Sequence, residues 1–351
     1  MKQSWIVIRS HHVPLSFRVD RRVPGLLLIL LSLTFIALIV NVSYGEYPVP
    51  PWEVVRAVIG LETSNADYAF IVNILRLPRA LVAVMVGVGL AIAGTITQGI
   101  LRNPLAAPDI IGINAGAALA AVTLIIALPN IPVAMLPIAA FIGGFTVFVL
   151  IYLLAWQEGS YPIRLVLVGI GFSLMAGAIT NILVTFGNIN DVSQALVWLA
   201  GSVYGRSWDE VRAMMPWLVV FVPIAIVMAR DLNALNLGDD VARGVGSPLE
   251  WRRGLLLVTS VALAGAAVAT AGTVGFVGFI APHIARRLVG PSHEGLLLTA
   301  ALTGGLLVVV ADLLGRSLFA PIELPCGLIT SVIGAPYFLY LLIQRRSTGF
   351  K

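Results

Sequence analysis

Apolar residues run along this chain in long stretches separated by short polar breaks, the pattern of a polypeptide built to lie in a bilayer. Stretches long enough to cross, or nearly cross, the hydrocarbon core as helix occur at 25–42, 81–100, 110–128, 133–155 and 165–186. A second set covers 211–229, 254–271, 273–289, 295–314 and 325–343. The expected fold is all-α, a polytopic membrane protein of ten transmembrane helices. Gly275, Gly278 and Pro282 interrupt the eighth stretch, which abuts the seventh. Counting it as a span puts both termini in the cytoplasm, with Arg345, Arg346 and Lys351 on the side where positive residues collect.

The basic residues before the first span, Lys2, Arg9, Arg18, Arg21 and Arg22, are offset only by Asp20, so the segment 1–24 is expected to stay cytoplasmic. Arg21-Arg22 before an apolar run can also be read as a targeting signal, but no small-residue cleavage site follows and the segment is expected to be retained. The expected ten-span body is 25–345, and 346–351 is expected to be a cytoplasmic tail.

Two short apolar segments in outer loops are expected to lie along the membrane rather than cross it. One follows Pro50-Pro51-Trp52; the other, 192–203, is expected to be a helix over the outer mouth. The motif Ala91-Ile-Ala-Gly-Thr-Ile is echoed by Ala269-Thr-Ala-Gly-Thr-Val, five spans later, as an inverted repeat or by coincidence of Gly/Ala-rich sequence.

The polar insert 230–253 breaks this pattern most sharply, holding eight of the chain's 39 Asp, Glu, Lys and Arg residues in 24 positions. It reads as two short helices, Asp231 capping the first and Gly238 ending it, Asp239 capping the second and Gly244 and Gly246 ending that. Leu232, Leu235, Val241 and Val245 give the pair an apolar side, and Asp240 and Arg243 add charge. A cytoplasmic docking surface fits this doubled design better than a plain solvated loop.

Composition agrees with the membrane assignment: 59% of the 351 residues are hydrophobic and 11% charged, against about a quarter charged in soluble domains. The net charge of +5 is spread between the spans rather than along a stripe, so nucleic acid is not an expected partner, whereas membrane lipid is. The central portions of spans two, three, four, seven and nine carry no ionisable residue, which argues against an ion-coupled secondary transporter and against intramembrane catalysis. No catalytic residue, cofactor site or metal site is expected, and the chain is not read as an enzyme. A phosphate-binding Gly-x-x-x-x-Gly-Lys-Ser/Thr loop is also missing from the sequence, so energy for active transport would come from another polypeptide.

Several polar positions stay open between two roles. The turn Arg102-Asn-Pro-Leu-Ala-Ala-Pro-Asp is either a gate at the inner mouth, with Asn103 and Leu105 closing on a symmetry mate, or a simple tight turn. Arg76, Arg79 and Arg316 face outward on this topology, to pair with carboxylates of a delivering protein or to reach lipid headgroups. His283, with no ligand set around it, reads as a structural histidine, with Arg286 and Arg287 anchoring at headgroups.

The motifs Arg76-Leu-Pro-Arg79, Arg102-Asn-Pro-Leu-Ala, Gly278-Phe-Ile-Ala-Pro-His-Ile-Ala-Arg, Ala311-Asp-Leu-Leu, Glu323-Leu-Pro-Cys-Gly and Gly334-Ala-Pro, in this order, resemble the iron-siderophore and cobalamin permeases of ATP-binding-cassette importers. The segments that begin at Gln98 and Ala195 look most like ferric citrate permeases, with ferric catecholate permeases similar and cobalamin or haem permeases the alternative. Cys326 stands where the family commonly has Gly directly after the Glu-Leu-Pro proline.

The resemblance implies a multi-pass protein of the bacterial inner membrane that moves a ferric siderophore inward. It implies a second permease subunit, identical or paralogous, two ATPase subunits that bind the ATP, and an extracytoplasmic binding protein. By position, Leu232, Leu235, Asp239, Asp240, Val241 and Arg243 correspond to coupling helices that meet the ATPase. Arg76, Arg79 and Arg316 fall where the binding protein docks. Asn103, Pro104 and Leu105 fall on one inner gate, Pro162 and Ile163 on a second, and 192–203 on the outer gating helix.

Overall fold

In the computed structural model, which describes residues 5–9, 16–128, 131–156, 162–244 and 248–348, strands β1 (Trp5–Arg9) and β2 (Ser16–Asp20) pair antiparallel, Trp5 opposite Asp20. Every other regular element among the described residues is helical. Helix α1 is Arg22–Ser43, α2 Pro51–Val58, and α3 Ala66–Phe70 continues through a π-helical turn into α4, Leu77–Ile100. Then come α5 (Ile113–Val122), α6 (Leu136–Ala155), α7 (Pro162–Phe186), α8 (Ile189–Ala200) and α9 (Trp208–Val227). Helices α10 (Ala229–Leu237), α11 (Asp239–Gly244), α12 (Leu249–Ala271), α13 (Val277–Val289), α14 (His293–Ser317) and α15 (Cys326–Thr348) complete the chain. The strand pair modifies the all-α expectation at its N-terminal edge, where Trp5-Ile-Val-Ile and Ser16-Phe-Arg-Val are rich in β-branched and aromatic residues.

Among the described residues, eight helices are long and apolar enough to cross a bilayer. Each predicted span has a helix, but the third and eighth are shorter than the sequence suggested. The third starts late because Pro108–Ile111 forms a 3-10 turn and Gly112 takes φ 77, leaving 113–127 as helix. The eighth loses its first four residues: the chain leaves α12 through Gly272 at φ 73 and turns into α13 at Phe276, φ 65. A helix of 13 residues is about 20 Å long, short of the roughly 30 Å of the hydrocarbon core. This also separates the two echoed motifs, since Gly94 is mid-helix in α4 and Gly272 is a helix end.

Start signals explain where the long helices begin. Pro51, Pro78 and Pro137 stand in the first turn of α2, α4 and α6, where the missing N–H costs nothing. Ser207 and Glu210 form a reciprocal capping box on α9.

Helix α4 is the axis of the bundle, almost wholly buried against α14, α12, α13 and α9. Its small residues allow this. A Cβ on Gly87 would lie 2.1 Å from the Gly304 carbonyl oxygen, and one on Gly94 would lie 1.8 Å from that of Gly278. In lipid, where apolar side chains gain little from leaving the solvent, such close backbone approach is a principal source of helix association. Hydroxyl bonds add to it: Ser260 Oγ donates to the Ala93 carbonyl at 3.0 Å and lies 3.0 Å from Thr97 Oγ1, joining α12 to α4. By contrast α1, α7, α9 and α15 present long apolar faces outward, including Leu28, Phe35, Leu174, Val219 and Val332.

Candidate functional site

Polar side chains gather at the two ends of the bundle. At one end the insert is folded as two helices, α10 and α11, separated by Gly238 at φ 122. Gly238 ends α10 as expected, but the two predicted aspartate caps are not used. Helix α10 starts after Met228, so Asp231 lies inside its first turn and pairs with Arg252 of α12 at 3.1 Å. Burial raises the Asp231 carboxyl above its ordinary value, with Arg252 opposing the shift. Helix α11 begins on Asp239 itself, whose Oδ1 accepts from Arg253 Nη2 at 2.7 Å and Arg102 Nη2 at 3.0 Å. Val245 and Gly246 lie outside the described residues.

Leu232 and Leu235 do not form an outer docking face. Their exposures are 0% and 2%, and they pack into the main core beneath α10. Helical geometry decides this: positions three apart share a face, and that face is claimed by α4, where Leu232 approaches Gly99. Asn233 bonds α14, giving Nδ2–H to Glu294 Oε2 at 2.7 Å and accepting the His293 backbone N–H at 2.9 Å and Nδ1–H at 2.7 Å. The exposed side of the pair includes Leu237, at 71%, and Asn236 of α10, with Asp240, Val241 and Arg243 of α11. Leu237 was missed because it stands off the Leu232–Leu235 stripe. The insert is thus bolted to α4, α12 and α14 and shows a different face outward.

At the opposite end the structure brings Arg76, Arg79 and Arg316 into one cluster, but gives their donors internal partners. Arg79 pairs with Asp312 at 2.7 Å and with Glu323 at 2.8 Å, and its guanidinium lies 5.4 Å from the centroid of the Tyr204 ring. Arg316 donates to the Asn41 carbonyl at 2.5 Å, to Asn41 Oδ1 at 2.9 Å and to the Tyr44 carbonyl at 3.2 Å. Asn41 Nδ2–H in turn donates to Asp312 Oδ2 at 3.1 Å. Arg76 is half-buried and, among the described residues, donates to the carbonyls of Val42, Ser43 and Tyr47. Neither Arg79 nor Arg316 is at a lipid-facing surface; both are buried. Asp312 belongs to helix α14, which runs to Ser317.

Asn103 and Leu105 form a closed turn, Asn103 Oδ1 accepting the Leu105 N–H at 3.0 Å. Asn103 is exposed, Pro104 is half-buried, and Leu105 packs beside Phe279, Ile280 and Leu341. Arg102, just before them, is held at φ 51. Pro162 and Ile163 sit at the start of α7, Ile163 exposed and Tyr161 outside the described residues. Helix α7 meets the first turn two turns further along, at Gly169, where a Cβ would lie 2.0 Å from the Ile110 carbonyl oxygen. No contact joins Pro162 or Ile163 to 103–105 directly among those described.

The segment 192–203 is helical from 192 to 200, within α8, and leaves the helix at Gly201, φ 74, so 201–203 are not helical. Its end is tied to two others: Ser202 N–H bonds the Ala271 carbonyl at 2.7 Å, and Gly327 N–H bonds the Gly201 carbonyl at 2.9 Å. Cys326, buried at that junction, has its thiol 3.7 Å from the same carbonyl. His283 lies in an aromatic setting, 5.7 Å from Tyr337 and 6.3 Å from Phe279. Among the described residues no group of three His, Cys, Asp or Glu is placed to hold a metal ion.

Comparison with known proteins extends these observations along the chain. Residues 33–344 match the FecCD transport family. A probable siderophore transport system permease protein, YfhA of Bacillus subtilis (strain 168), is 47% identical over 92% of this chain and 95% of its own. The achromobactin transport system permease protein CbrC of Dickeya dadantii (strain 3937) is 45% identical, over 90% of each. A solved ABC transporter assigned to the metal-chelate type, in an inward-facing conformation, superposes with TM-score 0.82 at 28% identity, over 92% of this chain and 99% of that one. The apolar bundle, its insert and its two polar ends are therefore those of a transport protein, and the chain belongs to the FecCD transport family.

Proposed function

We propose that this chain is the permease subunit of an ATP-binding-cassette importer that carries a ferric siderophore inward across the bacterial cytoplasmic membrane. The observation that carries the reading is the extent of the kinship: the family match and the siderophore-permease relatives both span nearly the whole chain. The subunit crosses the membrane ten times, the short α5 and α13 included, with both termini in the cytoplasm. It works beside a second permease subunit, two ATPase chains and an extracytoplasmic binding protein.

The insert supports a lever role in this scheme. Because α10 and α11 are joined by ion pairs and hydrogen bonds to the ends of α4, α12 and α14, force applied by an ATPase at Leu237, Asp240, Val241 and Arg243 would move those helices rather than bend a loop. At the outer end, three guanidiniums face two carboxylates, Asp312 and Glu323, leaving an excess positive charge. Arg76 bonds only carbonyls among the partners described, so it is the member best suited to receive a carboxylate from the binding protein. Asn103 to Leu105 and the Pro162–Ile163 turn act as inner gates, and α8 as the outer one.

Reconstitution tests the reading. Proteoliposomes containing the permease, its ATPase and its binding protein should take up radiolabelled ferric siderophore only with ATP and binding protein present, and ionophores should not stop uptake. Uptake that persists without ATP and collapses with an ionophore would make this an ion-coupled carrier instead.

A further inference from the structure

Between α6 and the first half of α12 lies an open cleft of about 600 Å3, walled by Phe145, Phe148, Tyr152 and Trp156 on one side and by Trp251 and Gly254 on the other. We propose that this cleft holds an acyl chain of a membrane phospholipid as a bound ligand, distinct from the lipids that merely surround the bundle.

The four aromatic residues recur every three or four positions and so form one stripe along α6. Their ring centroids stand 6.3, 6.0 and 5.6 Å apart in order. Such a stripe is ordinarily a packing face covered by the next helix. Here both ends of it, Phe145 and Trp156, are exposed. Helices α6 and α12 meet further along, where a Cβ on Gly265 would lie 3.2 Å from the Phe141 ring, and they part toward Trp156 and Trp251.

Gly254 keeps the gap open. Glycine is a poor helix former, and at Gly87 and Gly94 it is explained by a neighbouring backbone that leaves no room for a Cβ. At Gly254 a Cβ would meet nothing nearer than the Tyr152 hydroxyl, at 3.7 Å, an ordinary contact. The space this glycine leaves is the cleft itself.

Dimensions and surroundings identify the occupant. From Phe145 to Trp156 the stripe runs about 16 Å, close to half the roughly 30 Å of the hydrocarbon core, which is the reach of one leaflet's acyl chain. Over that length the cleft averages roughly 36 Å2 in section, against about 80 Å2 for a helix 10 Å across, so a helix of a second copy or of another protein does not fit. Its mouth is at headgroup level: Trp156 directly follows α6 and Trp251 stands in the first turn of α12, both exposed. The one charged lining residue among those described, Glu250, is ion-paired with Arg253 at 3.6 Å, so the walls offer apolar contact rather than charge. The cleft is also continuous with the apolar outer face of α6, where Leu150, Leu153 and Leu154 are exposed to the bilayer.

The test uses no transport and does not depend on the permease reading. The permease–ATPase complex is placed in nanodiscs of phosphatidylethanolamine carrying a diazirine on one acyl chain, irradiated, and its crosslinked residues mapped by mass spectrometry. In parallel, phospholipid retained in detergent is counted by native mass spectrometry. Crosslinks should concentrate on Phe148, Tyr152 and 254–258 above those at Leu28 and Phe35 of α1, and one phospholipid per permease should survive in detergent. Gly254→Leu fills the cleft and should lower both signals about tenfold, with the α1 crosslinks unchanged. Its unfolding temperature in lipid-free detergent should be equal or higher, because leucine is the better helix former. Val258→Trp, which fills the cleft from another lining position, should give the same loss if Gly254→Leu folds poorly. Crosslinking in the cleft no stronger than on α1, or equal retention by native and filled variants, would overturn the proposal. So would retention of added palmitate with no phospholipid, which would make the ligand a free fatty acid. Disulfide formation between copies of Val258→Cys in native membranes would overturn it too, making this face a protein contact.

Discussion

Removing either member of the Arg79–Asp312 pair should destabilise the bundle far more than an exposed ion pair would. Arg79 gives Asp312 Oδ1 two hydrogen bonds, at 3.1 and 2.7 Å, and Asp312 is 2% exposed. Breaking a buried pair from one side costs about 3–5 kcal/mol, because the other charge stays buried. In Arg79→Met, Asp312 keeps Asn41 at 3.1 Å and the more distant Arg316 at 3.8 Å, so the lower end, about 3 kcal/mol, is expected. In Asp312→Leu, Arg79 keeps Glu323, which is partly exposed and holds it less firmly, and a similar loss of about 3 kcal/mol follows. The double variant removes both charges together and should lose only about 2–3 kcal/mol, a coupling energy of about 3–4 kcal/mol. Denaturant unfolding of the detergent-solubilised permease, followed by circular dichroism, measures all three. Single losses that simply add, to about 6 kcal/mol, would refute the idea that the two side chains act as a pair.

The insert gives a matched comparison: Leu235→Ala should cost about 2–4 kcal/mol in the same unfolding assay, whereas Leu237→Ala should fall within about 0.5 kcal/mol of the native chain. Under the proposed function, Leu237→Ala should nevertheless reduce co-purification of the ATPase; full recovery of the complex would remove Leu237 from the contact. Asp239→Asn strips two arginines of their shared carboxylate, one of them, Arg253, almost fully buried, and should cost about 2–3 kcal/mol while raising amide hydrogen exchange in α11. Gly94→Val should force α4 away from α13, since even a Cβ collides with the Gly278 carbonyl. A loss above about 3 kcal/mol or failure to insert is expected, and a native-like unfolding curve would refute the close contact.

Span positions were legible because a bilayer demands long apolar runs, and every predicted run contains a helix. Lengths were less legible at α5 and α13, where hydropathy continues but backbone geometry does not: Gly112 and Phe276 take positive φ, and apolar scales do not register that. The two helices of the insert and their break at Gly238 could be read from spacing, while the direction of their faces could not. An amphipathic stripe shows that Leu232 and Leu235 need cover, but whether the cover is a partner or the chain's own α4 depends on tertiary packing. The same limit explains the arginines. Charge near a span end is compatible with docking, snorkelling or an internal pair, and Asp312, the partner of Arg79, lies 233 residues away. The one available signal was Asp312 itself, an acid inside a helix otherwise apolar around it, which must be paired to stay there.

Helix α4 connects these separate observations. It bears Arg79 one turn from its start and Gln98 one turn from its end, so it touches the arginine cluster at one end of the bundle and Arg286 of α13 at the other. Its 24 residues span about 36 Å, and glycine contacts to α14 and α13 hold it along that length. Close-packed helices resist bending, so displacement at the insert would carry to Arg79 as a shift of the α4–α14 unit. The ion pair closing that unit to the loop before α15 is Arg79–Glu323, the more exposed of the two that Arg79 makes. A shift of α4 would strain this pair first, because Asp312 rides on α14 with it while Glu323 does not. Under the proposed function, movement imposed at the insert by an ATPase would in this way change the face offered to a binding protein without any deformation of the core between them.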